Sequence, residues 1–250
     1  MKFKSIANKN ILIIGGNSDI GKALALEFSK LKTNLTLTTR NPKSLESFAS
    51  DIEIRFNTKC NIVFLDVIDF NSHLNFYKTL EEKPDIVITC VGYLDNQWDS
   101  ISSWTEAQKS IQTNFTGLVS LLNIIANDFE TRKYGLIAGI SSVAGDRGRA
   151  SNYIYGCSKA GYSTYLDGLR NRLYKSNVHV VTIKPGFVKT KMTKHLRLPK
   201  KLTHSTEGIA NDIVRSIEKR KNTIYTKWIW KWIMLTIKLI PEKIFKRLNI

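Results

Sequence analysis

Short apolar runs alternate along the chain with longer stretches in which apolar residues recur every three or four positions. The runs are short, uninterrupted and bounded by glycine, proline or polar residues, as expected for strands buried on both faces. The predicted strands span residues 10–14, 34–39, 61–65, 84–92, 135–140, 178–183 and 223–226. Helical spacing follows the first run and covers residues 44–56, 103–130 and 207–220.

This alternation predicts an α/β fold, a Rossmann-type doubly wound parallel sheet. We expect a single domain over residues 1–226 and a C-terminal amphipathic helical tail over residues 227–250. In such a sheet, ligands bind at the carboxyl ends of the strands. Side chains that follow the predicted strands are therefore the candidates for function.

Composition adds a strong basic charge, since the 250 residues carry a formal net charge of +17. Nucleic acid, an anionic membrane and phosphorylated ligands are the partners that such a charge favours, and charge alone does not choose among them. The first strand follows the N-terminus too closely for a signal peptide, so a cytoplasmic location is expected. The three cysteines and four histidines have no metal-ligand spacing, and no metal site is predicted.

A glycine-rich turn follows the first strand, with Gly15, Gly16 and Gly21 around Asn17, Ser18, Asp19 and Ile20. Backbone N–H groups and a helix N-terminus at such a turn are suited to a pyrophosphate. Arg40 ends the second strand, where an arginine suits the 2′-phosphate of NADP and an acidic residue would suit NAD. The alternative is a solvated loop arginine. Asp66 closes the third strand, within reach of an adenine amino group.

A phenol, an amine and a hydroxyl are placed to meet after the fifth strand. Tyr155 and Lys159 are four residues apart, so a helix would present both on one face. A nearby ammonium favours phenolate, which would lower the pKa of Tyr155 and make it a usable acid or base. Ser142 follows the buried run that ends at Ile140. Taken alone, a tyrosine and a lysine at this spacing more often lie on a helix surface without a catalytic role.

Two polar features near the same edge each have a functional and a structural interpretation. Asn114 lies within the apolar stripe of the long predicted helix, and its amide either serves the site or forms an interhelical hydrogen bond. Basic residues follow the sixth strand, where they either clamp a substrate phosphate or form a solvated loop. These basic residues are Lys189, Lys191, Lys194, Arg197, Lys200 and Lys201.

The tail is amphipathic over residues 227–240, with Lys227, Lys231 and Lys238 in a narrow helical arc. Trp228, Trp230 and Trp232 occupy the remaining surface together with aliphatic residues. The segment is too short to span a bilayer, and its pattern favours a helix that lies at the headgroup level. The alternative is packing on the domain or on a partner subunit.

In their order and spacing, these motifs resemble those of the short-chain dehydrogenase/reductase family over residues 10 to about 226. The resemblance implies that Tyr155 transfers a proton while NADP(H), or less favourably NAD(H), transfers hydride. It further implies that Lys159 lowers the pKa of Tyr155 and holds the nicotinamide ribose, Ser142 binds the substrate oxygen, and Asn114 anchors a relay water. The cofactor contacts that it implies are Gly15, Asn17, Ser18, Asp19, Ile20, Gly21, Arg40, Asp66, Gly92, Tyr155, Lys159, Pro185, Gly186, Val188 and Thr190.

The chain departs from the family pattern at Asp19, where the family has glycine, and at the Thr-Cys-Val-Gly sequence of residues 89–92. A carboxylate at position 19 would repel pyrophosphate unless it turned away, for example as a helix cap.

A closer resemblance, through residues 141–147, 190–196 and 240–250, is to reductases that complete the epimerisation of decaprenylphosphoryl ribose to decaprenylphosphoryl arabinose. It implies a polyprenyl-phosphate keto-pentose as substrate, an FAD-dependent oxidase as partner, a role in cell-envelope polysaccharide, and a place on the inner face of the cell membrane. Arg147 and Arg149 would help to receive the lipid phosphate. A generic soluble ketoreductase for an acyl, steroid-like or free-sugar ketone is the alternative. A nucleic-acid-binding role is disfavoured because the catalytic motifs are all present, and the oligomeric state stays open.

Overall fold

The computed structural model describes residues 6–194 and 196–248 of the chain. His195, which belongs to one of the motifs behind the closer resemblance, and the terminal Ile250 lie outside the described residues.

A seven-stranded sheet forms the centre of the molecule, and every adjacent pair of strands is parallel. The spatial order is β3-β2-β1-β4-β5-β6-β7, which reverses direction beside β1 and so defines a doubly wound sheet. The strands are β1 (Asn10–Ile14), β2 (Asn34–Thr39), β3 (Cys60–Phe64), β4 (Ile86–Thr89), β5 (Gly135–Ile140), β6 (Val178–Pro185) and β7 (Thr223–Thr226). The predicted fold class is confirmed.

Helices cover both faces of this sheet. They are α1 (Asp19–Lys30), α2 (Glu46–Phe56), α3 (His73–Thr79), α4 (Gln97–Ser102), α5 (Trp104–Ile111), α6 (Gly117–Arg132), α7 (Tyr153–Leu173), α8 (Thr206–Glu218), α9 (Ile229–Leu239) and α10 (Glu242–Phe245). The single helix predicted for residues 103–130 is present as a continuous helical run, in which a π-helical turn over Gln112–Thr116 joins α5 to α6. Neither α3 nor α4 is predicted by the hydrophobic pattern.

Each face of the sheet has its own core. Ile13 and Ile88 pack with residues of α1, α2 and α8, whereas Leu12, Ile14 and Val87 pack with residues of α3, α6 and α7. Consecutive strand residues therefore enter opposite cores, which is why the strands read as continuous apolar runs. Burial of each such side chain contributes about 1.5–3 kcal/mol. These two cores fix the strand ends around which the site is built.

The tail packs against the domain. Trp230 and Met234 of α9 are buried and form a third cluster with Val143, three residues after the end of β5. The Trp230 indole donates to the Leu202 carbonyl over 3.0 Å and packs edge-on against the Phe187 ring. The expectation that Trp230 lies at the headgroup level with the other tail tryptophans is therefore wrong, and for Trp230 the alternative of packing on the domain is correct. Within the described residues, no helix combines the length and apolar character needed to cross a membrane.

Candidate active site

Two adjoining cavities, each of about 390 Å³, lie at the carboxyl edge of the sheet. Their linings share residues from the segments after β1, β4 and β6, so together they form one elongated cleft. The shared residues are Asn17, Ser18, Cys90, Val91, Gly92 and Met192. We refer to the part lined by Ser142, Tyr155 and Lys159 as the catalytic cavity, and to the part lined by Arg40 and Asp66 as the adenosine cavity.

The glycine-rich turn closes tightly onto the end of β4. Gly15 has φ +87°, and a Cβ there would lie 3.0 Å from the Cys90 carbonyl carbon, so both conformation and space require glycine. Ser18 caps α1, since its hydroxyl accepts from the Gly21 N–H over 3.0 Å. The N-terminus of α1 therefore opens into the cleft, where backbone N–H groups and the helix dipole favour an anion.

Asp19 does not cap α1, as was considered from the sequence, because Ser18 occupies the cap position. Its carboxylate instead accepts from the Lys191 backbone N–H over 2.6 Å. This bond joins the glycine-rich turn after β1 to the loop after β6. One oxygen of the Asp19 carboxylate is therefore bound to the protein instead of facing the pyrophosphate position. Asp19 and Lys191 both line the catalytic cavity.

The adenosine cavity has a basic and an acidic residue in its wall. Arg40 is exposed at the end of β2, and Asp66 follows β3 and accepts from the Ile68 N–H over 3.2 Å. Both line the cavity, as the sequence predicted for the strand ends. Lys109 of α5 lines it as well and was not predicted, because nothing in the helix pattern marks it.

Ser142, Tyr155 and Lys159 come together in the catalytic cavity. Burial raises the pKa of Tyr155 to about 12, and the facing Ser142 hydroxyl acts in the opposite direction. Lys159 is 2% exposed, and burial lowers its pKa to about 8. Its ammonium lies 5.8 Å from the Tyr155 ring centroid and donates to the Ile140 carbonyl over 3.3 Å.

The direction of the Tyr155 shift corrects the prediction that Lys159 lowers it. Burial of the phenol outweighs the Lys159 ammonium 5.8 Å from the ring, although the charge of that ammonium favours phenolate. Both groups therefore carry their protons at neutral pH. The arrangement is suited to giving a proton to a substrate rather than to taking one.

Asn114 lies in the π-helical turn and is fully buried. Its amide nitrogen donates to the Tyr93 carbonyl over 2.7 Å and to the Ser110 carbonyl over 2.9 Å, and its oxygen accepts from the Tyr93 N–H over 2.9 Å. Both amide hydrogens are thus committed to the protein. Asn114 fixes the loop after β4, and one acceptor position of its side chain remains for a relay water.

The segment after β6 supplies the opposite wall of the catalytic cavity, with Pro185, Gly186, Val188 and Thr190. Position 186 requires glycine because a Cβ there would lie 1.9 Å from the Trp230 ring. The sequence did not reveal this requirement. Among the six basic residues after β6, Lys191 lines the cavity. Phe187, Met192 and Leu196 make this wall largely apolar, and none of them was predicted.

The two arginines between Ser142 and Tyr155 have different environments. Arg147 points to the tail, where it donates to the Ile237 and Ile240 carbonyls over 2.5 and 2.7 Å and pairs with Glu242 at 3.0 Å. Its predicted contact with a phosphate is therefore wrong, because its donors cap the C-terminus of α9. Arg149 lines the catalytic cavity, and its pKa is lowered by burial.

Unsatisfied polar atoms mark the same part of the catalytic cavity. Within the described residues, the buried Nε of Arg149 and the buried Oδ1 of Asn152 have no hydrogen-bond partner. Both residues line the cavity, and buried polar groups rarely remain unpaired, so this part of the wall is suited to a polar ligand. Asn152 was not predicted, and only its position three residues before Tyr155 could have drawn attention to it.

A nicotinamide dinucleotide fits this cleft. The elongated shape has the α1 N-terminus at its middle, Arg40 and Asp66 at one end, and Tyr155 with Lys159 at the other. Gly92 lies between the ends, where a Cβ would meet Met192 at 3.7 Å and the Lys159 ammonium at 3.8 Å. The dinucleotide would therefore be held by the residues of the catalytic cavity together with those of the adenosine cavity.

Comparison with known proteins agrees with this geometry. The family model for short chain dehydrogenases matches residues 9–201, and the chain belongs to this family. An uncharacterised oxidoreductase of Mycobacterium tuberculosis is 27% identical over 241 residues, covering 95% of this chain and 96% of that protein. The 17-beta-hydroxysteroid dehydrogenase type 3 of Rattus norvegicus is 25% identical over 241 residues, covering 94% and 77% of the two chains.

Solved structures share the fold. A short chain dehydrogenase from Burkholderia cenocepacia in complex with NADP has a TM-score of 0.84 at 14% identity, covering 98% of this chain and 99% of that one. A short-chain dehydrogenase from Sphingobium yanoikuyae in complex with NADPH has a TM-score of 0.81 at 20% identity, covering 91% and 92%. With the family assignment, the protein is an NAD(P)-dependent short-chain oxidoreductase that acts between CH–OH and C=O.

Proposed function

We propose that this protein reduces a keto group on a polyprenyl-phosphate-linked pentose, with NADPH as the reductant. The product would be the corresponding lipid-linked alcohol, of the decaprenylphosphoryl arabinose type. The proposal rests on Arg149 and Asn152, whose guanidinium and amide side chains both contribute to the lining of the catalytic cavity. A sugar phosphate brings an anion to the guanidinium and hydroxyl groups to the amide oxygen.

In the proposed reaction, the dinucleotide supplies hydride to the carbonyl carbon when it is bound. The Tyr155 phenol keeps its proton at neutral pH, because its pKa is raised to about 12, and it gives that proton to the carbonyl oxygen. The Ser142 hydroxyl donates a hydrogen bond to the same oxygen. Lys159 is charged below pH 8, and its ammonium stabilises the phenolate that remains.

NADPH is favoured over NADH by Arg40. Its guanidinium is exposed in the wall of the adenosine cavity, where a 2′-phosphate would bring two negative charges to it. The Burkholderia and Sphingobium proteins, which share the fold, are in complex with NADP and NADPH. NAD has no 2′-phosphate and would leave Arg40 without this contact.

The substrate class carries three further proposals. An FAD-dependent oxidase would produce the keto-sugar, the product would serve cell-envelope polysaccharide synthesis, and the enzyme would act at the inner face of the cell membrane. A steroid-like ketone is the second candidate, favoured by the 25% identity to a hydroxysteroid dehydrogenase. A neutral steroid would leave the Arg149 guanidinium without an anionic partner.

Turnover of a synthetic polyprenyl-phosphate 2-keto-pentose tests the proposal. We expect NADPH oxidation coupled to a single alcohol epimer, and a lower kcat/KM with NADH. Arg149→Gln should raise KM for the lipid-linked substrate about 10- to 100-fold, since hydrogen bonds to charged groups contribute about 1.5–3 kcal/mol. Arg197→Gln, at an exposed position outside the cavity lining, is the control. Reduction of a steroid ketone with unchanged KM in Arg149→Gln would favour the second candidate.

A further inference from the structure

The outward face of α9 is an apolar stripe. Trp228, Trp232, Leu235 and Leu239 are 73%, 55%, 46% and 73% exposed. Their spacings of four, three and four residues place them in one line along the helix. Single exposed apolar residues are ordinary on proteins, but two tryptophans and two leucines in one line form a continuous patch.

The opposite face of α9 is already occupied. Trp230 is 4% exposed and Met234 is fully buried, in the cluster with Val143. The stripe therefore lies on the far side of a helix that the domain holds from beneath. The described part of the domain leaves this stripe exposed to solvent.

The charge around the stripe is basic. Lys231 and Lys238 lie on one flank of α9, and both are exposed. Residues 227–248 contain six Lys or Arg and one acidic residue, Glu242. Glu242 is paired with Arg147 at 3.0 Å, so it offsets charge from the domain rather than from the tail lysines.

We propose that this stripe docks the enzyme on an anionic lipid bilayer. Tryptophan rings prefer the headgroup level, and leucines extend the apolar contact into the acyl boundary. The flanking lysines are attracted to anionic headgroups near the membrane surface. This surface uses Trp228 and Trp232 but not Trp230.

Charge complementarity favours a bilayer over a second copy of this chain. A twofold dimer through the stripe would bring the same patch of each copy together. In the arrangement with antiparallel helices, Lys231 and Lys238 of the two copies would lie on the same flank of the interface and repel each other. An anionic membrane reverses the sign of that interaction.

Docking here deepens the proposed function and, in its link to the substrate, rests on it. Phe187 lines the catalytic cavity and contacts Trp230 with ring centroids 5.1 Å apart. The stripe is on the other side of α9, and a helix with its side chains is about 10–12 Å across. A bilayer on the stripe would therefore lie about one helix diameter from a wall of the cavity.

Vesicle sedimentation with the full-length protein tests the surface without any substrate. We expect binding to phosphatidylcholine vesicles that contain phosphatidylglycerol and much weaker binding to phosphatidylcholine alone. The double variant Trp232→Ser with Leu235→Ser should lower the partition coefficient at least about tenfold, because loss of 1.4 kcal/mol is enough for that change. Tyr174→Ser, at an 81% exposed aromatic outside the tail, is the matched control and should bind as the wild type does.

Contrary outcomes are equally specific. Wild-type protein that stays in the supernatant with anionic vesicles, or a double variant that binds like the wild type, would overturn the proposal. So would a wild-type dimer that the double variant converts to a monomer by light scattering, with no vesicle binding in either. Vesicle binding without turnover of the lipid keto-sugar would contradict the proposed function and leave the docking surface standing.

Discussion

Burial acts on Tyr155 and Lys159 in opposite directions, raising the pKa of one to about 12 and lowering the other to about 8. Loss of hydration penalises the charged form of each group, which is phenolate for tyrosine and ammonium for lysine. At neutral pH both groups therefore keep their protons, with Lys159 buried and Tyr155 half-buried in the cavity wall. We expect kcat/KM for reduction to fall as pH rises above about 8, where Lys159 loses the charge that stabilises phenolate.

Removal of the Tyr155 hydroxyl should remove proton transfer while leaving the cavity in place. We expect Tyr155→Phe to lower kcat by about 10²- to 10⁴-fold, the usual contribution of general acid catalysis. Dinucleotide affinity, measured by fluorescence titration, should change little because the phenyl ring still fills the site. Full turnover in this variant would exclude Tyr155 as the acid.

Burial of the charged Lys159 side chain should lower the free energy of unfolding at neutral pH. Its folded pKa of about 8 lies below its ordinary value, so the folded state binds the proton less well than the unfolded chain does. This penalty is present below pH 8 and disappears as pH rises from about 8 to about 10.5. We expect Lys159→Met to raise the free energy of unfolding at pH 7 by up to about 3 kcal/mol.

Urea denaturation at a series of pH values measures this effect. The wild type should become more stable between pH 8 and pH 10 relative to Lys159→Met, and the difference between the two should shrink. Lys184→Met is an unsuitable control, because Lys184 pairs with Asp146 at 2.6 Å. Lys175→Met, on the exposed end of the same helical segment, is a better one. A constant difference across pH would contradict the burial argument.

The roles of single residues could be predicted where they depend on the spacing of residues along the chain. The spacing of Tyr155 and Lys159 identified the pair, but the pKa of Tyr155 depends on packing density, which spacing does not contain. Arg147 and Arg149 are two residues apart and look equivalent in the sequence. They separate only because α9 ends beside Arg147, a contact between residues 90 or more positions apart.

At the scale of elements, Asp19 connects α1 to the loop after β6 through the Lys191 N–H. Its charge also lies in the first turn of α1, at the helix end that would hold pyrophosphate, and two negative charges repel each other. Asp19→Asn keeps an acceptor for Lys191 and removes the charge. We expect dinucleotide Kd to fall by up to about 5-fold, because two like unit charges about 4 Å apart in water repel each other by about 1 kcal/mol.

Asp19→Ala separates the two roles. It removes the charge and also the bond to the loop, so dinucleotide affinity should improve while KM for the ketone rises. Isothermal titration and steady-state kinetics measure the two quantities. Weaker dinucleotide binding in Asp19→Asn would show that the carboxylate supports the cofactor instead of repelling it.

The two faces of α9 give a matched pair of tryptophans. Trp230 is buried against Gly186 and Phe187, whereas Trp228 is exposed. We expect Trp230→Ala to destabilise the fold by about 3–5 kcal/mol and Trp228→Ala by less than about 0.5 kcal/mol. Thermal unfolding measures both, and equal effects would contradict the packing of the tail.

The strands were predictable because burial on both faces leaves continuous apolar runs, and β1, β2, β5 and β7 have the predicted bounds. The π-helical turn at Gln112–Thr116 inside the long helix was not predictable, because the helical pattern continues through it without glycine or proline. The π-helical turn there presents Asn114 to Tyr93, and that need is tertiary. The buried face of α9 could not be predicted from the sequence either, because apolar residues lie on both faces of this helix.

For the whole molecule, the tail and the catalytic loop form one connected structure. Arg147, five residues after Ser142, caps α9, pairs with Glu242 and stacks 3.6 Å above the Phe245 ring. The neighbouring Asp146 accepts from Lys184 at 2.6 Å and from Tyr225 at 2.7 Å. The loop that carries Ser142 is therefore held from the tail side as well as from the sheet.

This connection predicts that the tail is needed for the site as well as for docking. Truncation after Thr226 would expose Val143 and Phe187 and remove Trp230 and Met234 from their cluster. Burial of about 1.5–3 kcal/mol for each lost side chain gives a destabilisation of at least about 3 kcal/mol. For a domain of this size, that corresponds to a fall in Tm of about 6–12 °C.

Activity toward a small water-soluble ketone, measured well below the lower Tm, separates the two roles of the tail. A tail that only binds membrane would leave this activity unchanged, as the simple soluble reductase alternative requires. We expect a loss, because the loop bearing Ser142 and the wall bearing Phe187 both lose their support. Arg147→Gln should give an intermediate loss, since it keeps α9 but removes its cap, its ion pair and its stacking contact. Full activity of the truncated protein with an unchanged Tm would reduce the tail to a docking segment.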